Sequence, residues 1–261
     1  MIAAPAVDLK GGRCVQLVGG RPEDERVSLP DPVSVARDWW ERGFGTLHLV
    51  DLDAALGRGD HLDLLRELLA ATPAETQVGG GIRDDARAEV LLEAGADRIV
   101  VGTRALDDPE WFAALVRRFP HRVMVAADTR DGQVLRKGWT EDSGRSVEEF
   151  LEGLAELPLA GVLATDVGQE GRLDGIQRDG VTATVAASAH PVWISGGVTT
   201  LEEMDWLADE GAHGAVLGMA LYTDTIDAHE LARRYGVRPG TPEPSAPSAP
   251  SGANPARTET P

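Results

Sequence analysis

The chain lacks the residues that mark several large classes of protein. It has one cysteine, Cys14, in 261 residues, which rules out an internal disulfide and fits a reducing compartment. No apolar run approaches the roughly 18 residues that a membrane helix requires. No basic stretch precedes an apolar one near Met1, so no secretory leader is read there. Lysine is nearly absent: among 25 basic residues only Lys10 and Lys137 are lysines. The net charge of −18 disfavours nucleic acid or an anionic membrane as a partner. There is no Cys/His metal spacing, no Gly-x-Gly-x-x-Gly fingerprint, no Walker loop and no nucleophile elbow. These absences lead us to expect a soluble cytoplasmic protein that uses no cofactor and no metal, contacts neither nucleic acid nor membrane, and works as a monomer on a small molecule.

What the sequence does contain is a rhythm. Short apolar runs suited to buried strands fall at residues 2–7, 46–50, 75–78, 98–101, 123–127, 161–164, 192–194 and 215–217. Helical patterns follow each of them. The first opens at Asp31-Pro32 and stops at Gly43. Others span 61–71, 84–94, 109–119, 147–157, 181–187 and 201–210, and a last one closes near Tyr235. Extended excursions are expected at 14–18 and 133–139, and the polar, aperiodic stretch 21–28 reads as a mobile loop. Eight strand-then-helix units in a chain of this length predict a (β/α)8 barrel, an architecture that typically takes about 250 residues. Its expected span is 1–237. From 238 to 261 the composition turns to Pro, Ser, Ala, Thr and Gly without apolar periodicity, which predicts a disordered tail.

The two halves of the barrel echo each other. Asp8 and Asp128 each close an apolar strand at an offset of about 120 residues. Gly80-Gly81 matches Gly196-Gly197, and Gly102 matches Gly218, at an offset of about 116. A lone aspartate at a strand end is most often a turn-former. Two of them, half a chain apart, point instead to a pair of carboxylates at the mouth where barrels of this kind carry their chemistry. Glycine pairs there let backbone N–H groups approach an oxyanion, and the start of the following helix adds its positive end. Gly80, Gly81 and Arg83 with Gly102 and Thr103 form one expected cradle; Gly196 and Gly197 with Gly218 and Met219 form the other. The ligand implied is long and carries a phosphate at each end, with the two aspartates available for general acid and base work between them. Lys10 and Lys137 fall just after the two aspartates and are read as cations at the mouth. His48, beside Val50-Asp51, is either a substrate contact or a satisfied core histidine.

Several segments together resemble a known family. Pro5-Ala-Val-Asp-Leu-Lys-Gly-Gly12, Leu47-His-Leu-Val-Asp-Leu-Asp53, Gly79-Gly-Gly-Ile-Arg83, Lys137-Gly-Trp139 and Ser195-Gly-Gly-Val198 are similar to motifs of the phosphoribosylformimino-AICAR (ProFAR) isomerases of histidine biosynthesis. The resemblance runs from about residue 2 to 235. It implies an Amadori rearrangement of an aminoaldose to an aminoketose. Asp8 would be the base at C2′, Asp128 the acid at the ring oxygen, and Thr165 a hydrogen-bonding assistant. Trp139 would stack on the imidazole carboxamide when its loop closes. Two departures stand out. Where the family carries Asp-Gly-Thr-Leu this chain has Glu170-Gly-Arg-Leu173, so Glu170 keeps the carboxylate on a longer stem. Gln16 stands where relatives that also serve tryptophan synthesis have arginine. The alternatives are the sister cyclase of imidazole glycerol phosphate synthesis, a bifunctional isomerase also acting on phosphoribosylanthranilate, and a non-catalytic barrel that binds bis-phosphates.

Overall fold

Apolar runs of four to nine residues, bounded by turn formers, are too short for helices and become strands. The computed structural model describes residues 1–136 and 138–237; the expected tail over 238–261, and Lys137, lie outside the described residues. The strands are β1 (Ile2–Lys10), β2 (Arg13–Leu17), β3 (Glu25–Leu29), β4 (Thr46–Asp51), β5 (Glu75–Gly79), β6 (Arg98–Val101), β7 (Val123–Arg130), β8 (Gln133–Arg136), β9 (Glu141–Ser146), β10 (Gly161–Asp166), β11 (Val192–Ser195) and β12 (Gly214–Leu217). The helices are α1 (Pro32–Arg42), α2 (Leu52–Leu56), α3 (Leu62–Ala71), α4 (Asp85–Glu93), α5 (Thr103–Asp107), α6 (Pro109–Arg118), α7 (Val147–Glu152), α8 (Arg178–Ala187), α9 (Leu201–Asp209), α10 (Met219–Tyr222) and α11 (Ala228–Tyr235). Among the described residues no helix is long and apolar enough to cross a membrane.

Eight strands pair in parallel in the order β1, β4, β5, β6, β7, β10, β11, β12, and β12 pairs again with β1. The ring is closed and leaves no free edge, which is the (β/α)8 barrel expected. Side chains alternate along each strand, so neighbouring residues enter different cores. Ala4, Ala6, Val100, Met124, Leu163, Trp193 and Val216 fill the barrel interior. Ala3, Val7, Leu49, Val101, Val125 and Ala215 face outward into the larger core beneath the helices.

Local chemistry sets the helix ends. Asp31 caps α1 by accepting from Ser34 N–H, and Gly43 ends it with φ 113°, a left-handed geometry in which its own N–H returns to Trp39 and Trp40 carbonyls. Ser146/Glu149 and Thr200/Glu203 form reciprocal capping boxes on α7 and α9.

Several expectations are corrected. Asp8 and Asp128 do not end their strands. Each strand runs on past the rim and folds back as an antiparallel hairpin, with Asp8 opposite Val15 in one and Thr129 opposite Val134 in the other. Past the rim each strand has lost its parallel neighbour on one side, and the hairpin supplies the missing hydrogen bonds there. The stretch 21–28 is not wholly a loop, because Glu25–Leu29 pairs with β2 as β3. The excursion read at 133–139 is a strand only to Arg136, and it pairs with β9, which is polar throughout and gave no apolar signal. The helix expected over 147–157 ends at Glu152, where Gly153 is its C-cap. The short helices α2, α5 and α10 carry too few turns to show a period.

Trp193, only 1% exposed, spans the bottom of the barrel interior. A Cβ on Gly214 would stand 2.5 Å from its ring and 2.9 Å from the Ile2 carbonyl, on backbone that cannot retreat. Gly214→Ala is therefore expected to destabilise the fold by about 1–3 kcal/mol through overpacking. Gly214 opens β12 at the end away from the mouth, so activity at 25 °C should persist. Urea unfolding read beside a steady-state assay checks both halves of this prediction.

Candidate active site

The C-terminal ends of the eight strands enclose a cavity of about 480 Å³, within the range of small-molecule sites. Asp8, His48, Gly80, Gly81, Arg83, Gly102, Thr103, Asp128, Trp139, Thr165, Glu170, Gly196, Gly197, Gly218 and Met219 all line it. Lys10 does not. Its ammonium donates to the Pro22 carbonyl at 2.7 Å and pairs with Glu25 at 2.9 Å, which holds it on the β2–β3 hairpin. The unforeseen strand β3 brings up the carboxylate that Lys10 meets.

Backbone register sets the carboxylates. Asp8 on β1 pairs with Val50 on β4, and Asp128 on β7 pairs with Thr165 on β10. These are corresponding positions of the two halves, and they carry different side chains. Burial is the largest influence on Asp128 and raises its pKa; the neighbouring Trp139 indole and Thr165 hydroxyl act in the opposite sense. Val50 can offer Asp8 no side-chain hydrogen bond. Burial pushes Asp8 up to about 7, and Gln16 Nε2 lies 3.5 Å from its Oδ2. The same pattern of strand ends thus gives two carboxyl groups in unlike surroundings, as acid and base work requires.

Glu170 is a third carboxyl on the cavity wall. Its Oε2 is buried and has no hydrogen-bond partner among the described residues. Burial first, and the charges of Asp8, Asp128 and Asp166 next, raise its pKa to about 8. His48 is 5% exposed and faces Gln77 Oε1 at 3.3 Å; burial lowers its pKa to about 4, so it is a neutral wall residue. It lines the cavity while its Nδ1 is turned to Gln77.

The glycine pairs are required by close backbone approach. Gly80 has φ 102°, and a Cβ there would lie 2.2 Å from the Asp51 carbonyl oxygen. Gly197, with φ 86°, would place a Cβ 2.3 Å from the Gly175 carbonyl. A second anchor was not foreseen. Buried Asp51 accepts from Ala54 N–H at 3.0 Å, His61 N–H at 2.7 Å and Arg87 at 3.2 Å. Gly12 N–H donates to His61 Nε2 at 2.9 Å, which assigns the ring proton to Nδ1, 3.1 Å from Asp51. Gly11 N–H donates to Asp53 at 2.7 Å. The turn after β1 is therefore tied to the loop after β4.

Three loops meet above the carboxylates. Gly19 N–H donates to the Glu170 carbonyl at 2.9 Å. Gly171 packs so closely on Leu17 that a Cβ would be 2.2 Å from its carbonyl oxygen. Trp139, at φ 69°, lays its ring against Gly20, where a Cβ would meet it at 2.2 Å. Gly20 and Arg104 were both missed as cavity residues. Arg104 directly follows the expected Gly102-Thr103 pair, but a single arginine in an arginine-rich chain gives no signal of its own.

Among the described residues no group of three or more His, Cys, Asp or Glu could hold a metal ion. The sequence profile of the histidine biosynthesis protein family matches residues 2–227. A protein of Gemmatimonas aurantiaca is 53% identical over 237 residues, covering 91% of this chain and all of its own length. One of Myxococcus xanthus is 46% identical over 236 residues, covering 90% of this chain and 99% of its own. One of Methanothermobacter thermautotrophicus is 39% identical over 239 residues, covering 91% and 100%. All three bear the name 1-(5-phosphoribosyl)-5-((5-phosphoribosylamino)methylideneamino)imidazole-4-carboxamide isomerase.

The raised carboxyls make stability depend on pH. The fold favours the neutral form of Glu170, from an ordinary 4.5 to about 8, and of Asp8, from 3.8 to about 7. Their stabilising contribution is complete below about pH 4 and is lost as pH rises through 7 and 8. Glu170→Gln keeps the neutral shape at every pH. Its melting temperature should therefore match that of the wild-type protein near pH 4 and exceed it near pH 9, by about 2–4 °C for each kcal/mol gained. Calorimetry at the two pH values reads the difference; an equal gap at both would contradict the raised pKa.

Proposed function

This chain belongs to the histidine biosynthesis protein family, and from that premise we propose that it is an aldose–ketose isomerase that converts ProFAR by an Amadori rearrangement. The observation that carries the reading is the arrangement of the ring. β1 and β7, which bear Asp8 and Asp128, are the first and fifth of eight strands and so stand opposite each other. The glycine cradles at β5/β6 and at β11/β12 stand opposite across the perpendicular diameter. A ligand with a phosphate at each end, bound across the cradles, has its middle between the two carboxyls.

Asp128 gives a proton to the ring oxygen as the furanose opens to the Schiff base. Asp8 takes the proton from C2′, leaving an enolamine, and tautomerisation to the aminoketose returns the protons with no net exchange. The Thr165 hydroxyl orients Asp128. Trp139 leaves Asp128 when ligand enters and stacks on the imidazole carboxamide, which excludes water from the reacting centre. Glu170 touches the substrate from the wall. The enzyme works as a cytoplasmic monomer on this small bis-phosphate, with no nucleic acid or membrane partner; the strong acidity of the chain supports that last point.

Asp8→Asn and Asp128→Asn should each lower kcat by on the order of 10²–10⁴-fold, the usual effect of losing a positioned acid or base, while the fold and most substrate affinity survive. The assay follows the absorbance change of purified protein with ProFAR. A variant that kept near wild-type kcat would remove that aspartate from the mechanism.

Gln16 bears on selectivity. It is buried beside Asp8 and is an amide where a substrate carboxylate would call for an arginine fork. Phosphoribosylanthranilate should therefore be turned over with a kcat/KM more than about tenfold below that of ProFAR, a gap of at least roughly 1.4 kcal/mol in transition-state binding. Both substrates compared on one preparation decide this point, and similar efficiencies would establish a dual-substrate enzyme.

A further inference from the structure

The two phosphate cradles descend from matching loops, but they do not carry matching charge. The cavity wall includes two guanidinium groups, Arg83 and Arg104, and both lie at the ends of β5 and β6. At the repeat offset of 116 residues their counterparts are Thr199 and Ala220. Thr199 gives its hydroxyl to Glu203 at 3.0 Å, and Ala220 is buried. The opposite cradle thus has its glycines and backbone N–H groups and, among the described wall residues, no cation. It also has an acid for a neighbour, since Glu170 Oε2 lies 3.2 Å from where a Gly196 Cβ would stand.

Arg104 is set up as a ligand group. It sits one residue after Thr103 in the first turn of α5, whose N-cap is Gly102. One guanidinium nitrogen donates to Asp108 at 2.7 Å, and the guanidinium carbon lies over the Trp111 ring, 5.3 Å from its centroid. These two contacts hold the head group in place. Its side chain is 39% exposed, so surface of the head group is left for a ligand. Arg83 is similar: one nitrogen donates to the Ala55 carbonyl at 2.8 Å, and among the described residues the rest of the group has no hydrogen-bond partner. The acid on this part of the wall, Asp107, is neutralised by Arg136 at 3.2 Å. Guanidinium groups bind phosphate oxygens through paired, charge-assisted hydrogen bonds, which backbone N–H groups alone cannot equal.

We propose that Arg104, together with Arg83, makes the β5/β6 cradle the tight anion site, while the β11/β12 cradle holds its phosphate through backbone N–H groups without a counter-charge. The ligand is then captured at one end by charge and aligned at the other by shape. This rests on reading the cavity as a bis-phosphate site, but it does not depend on the identity of the reaction.

The test uses inorganic phosphate titrated into the full-length protein, with amide signals read by NMR. Gly102 and Thr103 report one cradle; Gly196 and Gly218 report the other. In the wild-type protein the first pair should saturate at least about tenfold earlier than the second, and its midpoint should rise more steeply with added salt. Arg104→Gln should weaken the first site by about tenfold and leave the second unchanged, and Arg104→Lys should fall between. Equal affinities at the two cradles, no saturable shift at either, or an Arg104→Gln protein that titrates like wild type would each overturn the proposal. If Arg104→Gln does not fold, the wild-type comparison of the two cradles and its salt dependence still decide. Failure of the ProFAR assay with the asymmetry intact would remove the proposed reaction and leave Arg104 in place; turnover of ProFAR with equal cradles would do the reverse.

Discussion

Everything in this molecule depends on the hydrogen-bond register that closes the ring. β7 and β10 align Asp128 with Thr165, and β1 and β4 align Asp8 with Val50. A shift of one residue in either pairing would turn the aspartate out of the cavity and into the helix layer, because side chains alternate between the two faces. Closure also fixes the number of strands between the aspartates, and so their opposition across the mouth. The site is a consequence of backbone pairing before any side chain contributes to it.

The loops above the ring are held by backbone packed on backbone. Gly80 against Asp51, Gly197 against Gly175 and Gly171 against Leu17 leave no room for a Cβ. Such contacts fix one loop against another. The buried carboxylate of Asp51, with His61 and Arg87, does the same with polar chemistry on the first half of the barrel. A fully buried anion persists there because it accepts several hydrogen bonds and faces a guanidinium.

On this frame the two halves have diverged in what they present. Where one half places Val50 beside its aspartate, the other places Thr165. One cradle has arginines where its counterpart has Thr199 and Ala220. Near symmetry of the backbone therefore supports asymmetry of charge and hydrogen bonding, and that asymmetry places two similar aspartates in unlike surroundings.

Much of this was legible in the residues. Strand and helix order, the glycine pairs and both aspartates follow from apolar periodicity and turn chemistry, which act over a few neighbouring positions. The caps at Asp31 and Gly43 could be read for the same reason. What local pattern could not show was any feature made by distant partners. Polar β9 is a strand because β8 pairs with it, and β3 because β2 does. Lys10 meets Glu25 because β3 brings that residue to it. Arg104 and Gly20 join the cavity only once the ring closes and the Trp139 loop folds over. By itself the sequence determined the barrel and the chemical types at its mouth, through short-range pattern. Only the tertiary structure decided which of those groups face one another, because that depends on pairing across tens of residues and on the burial that shifts their charges.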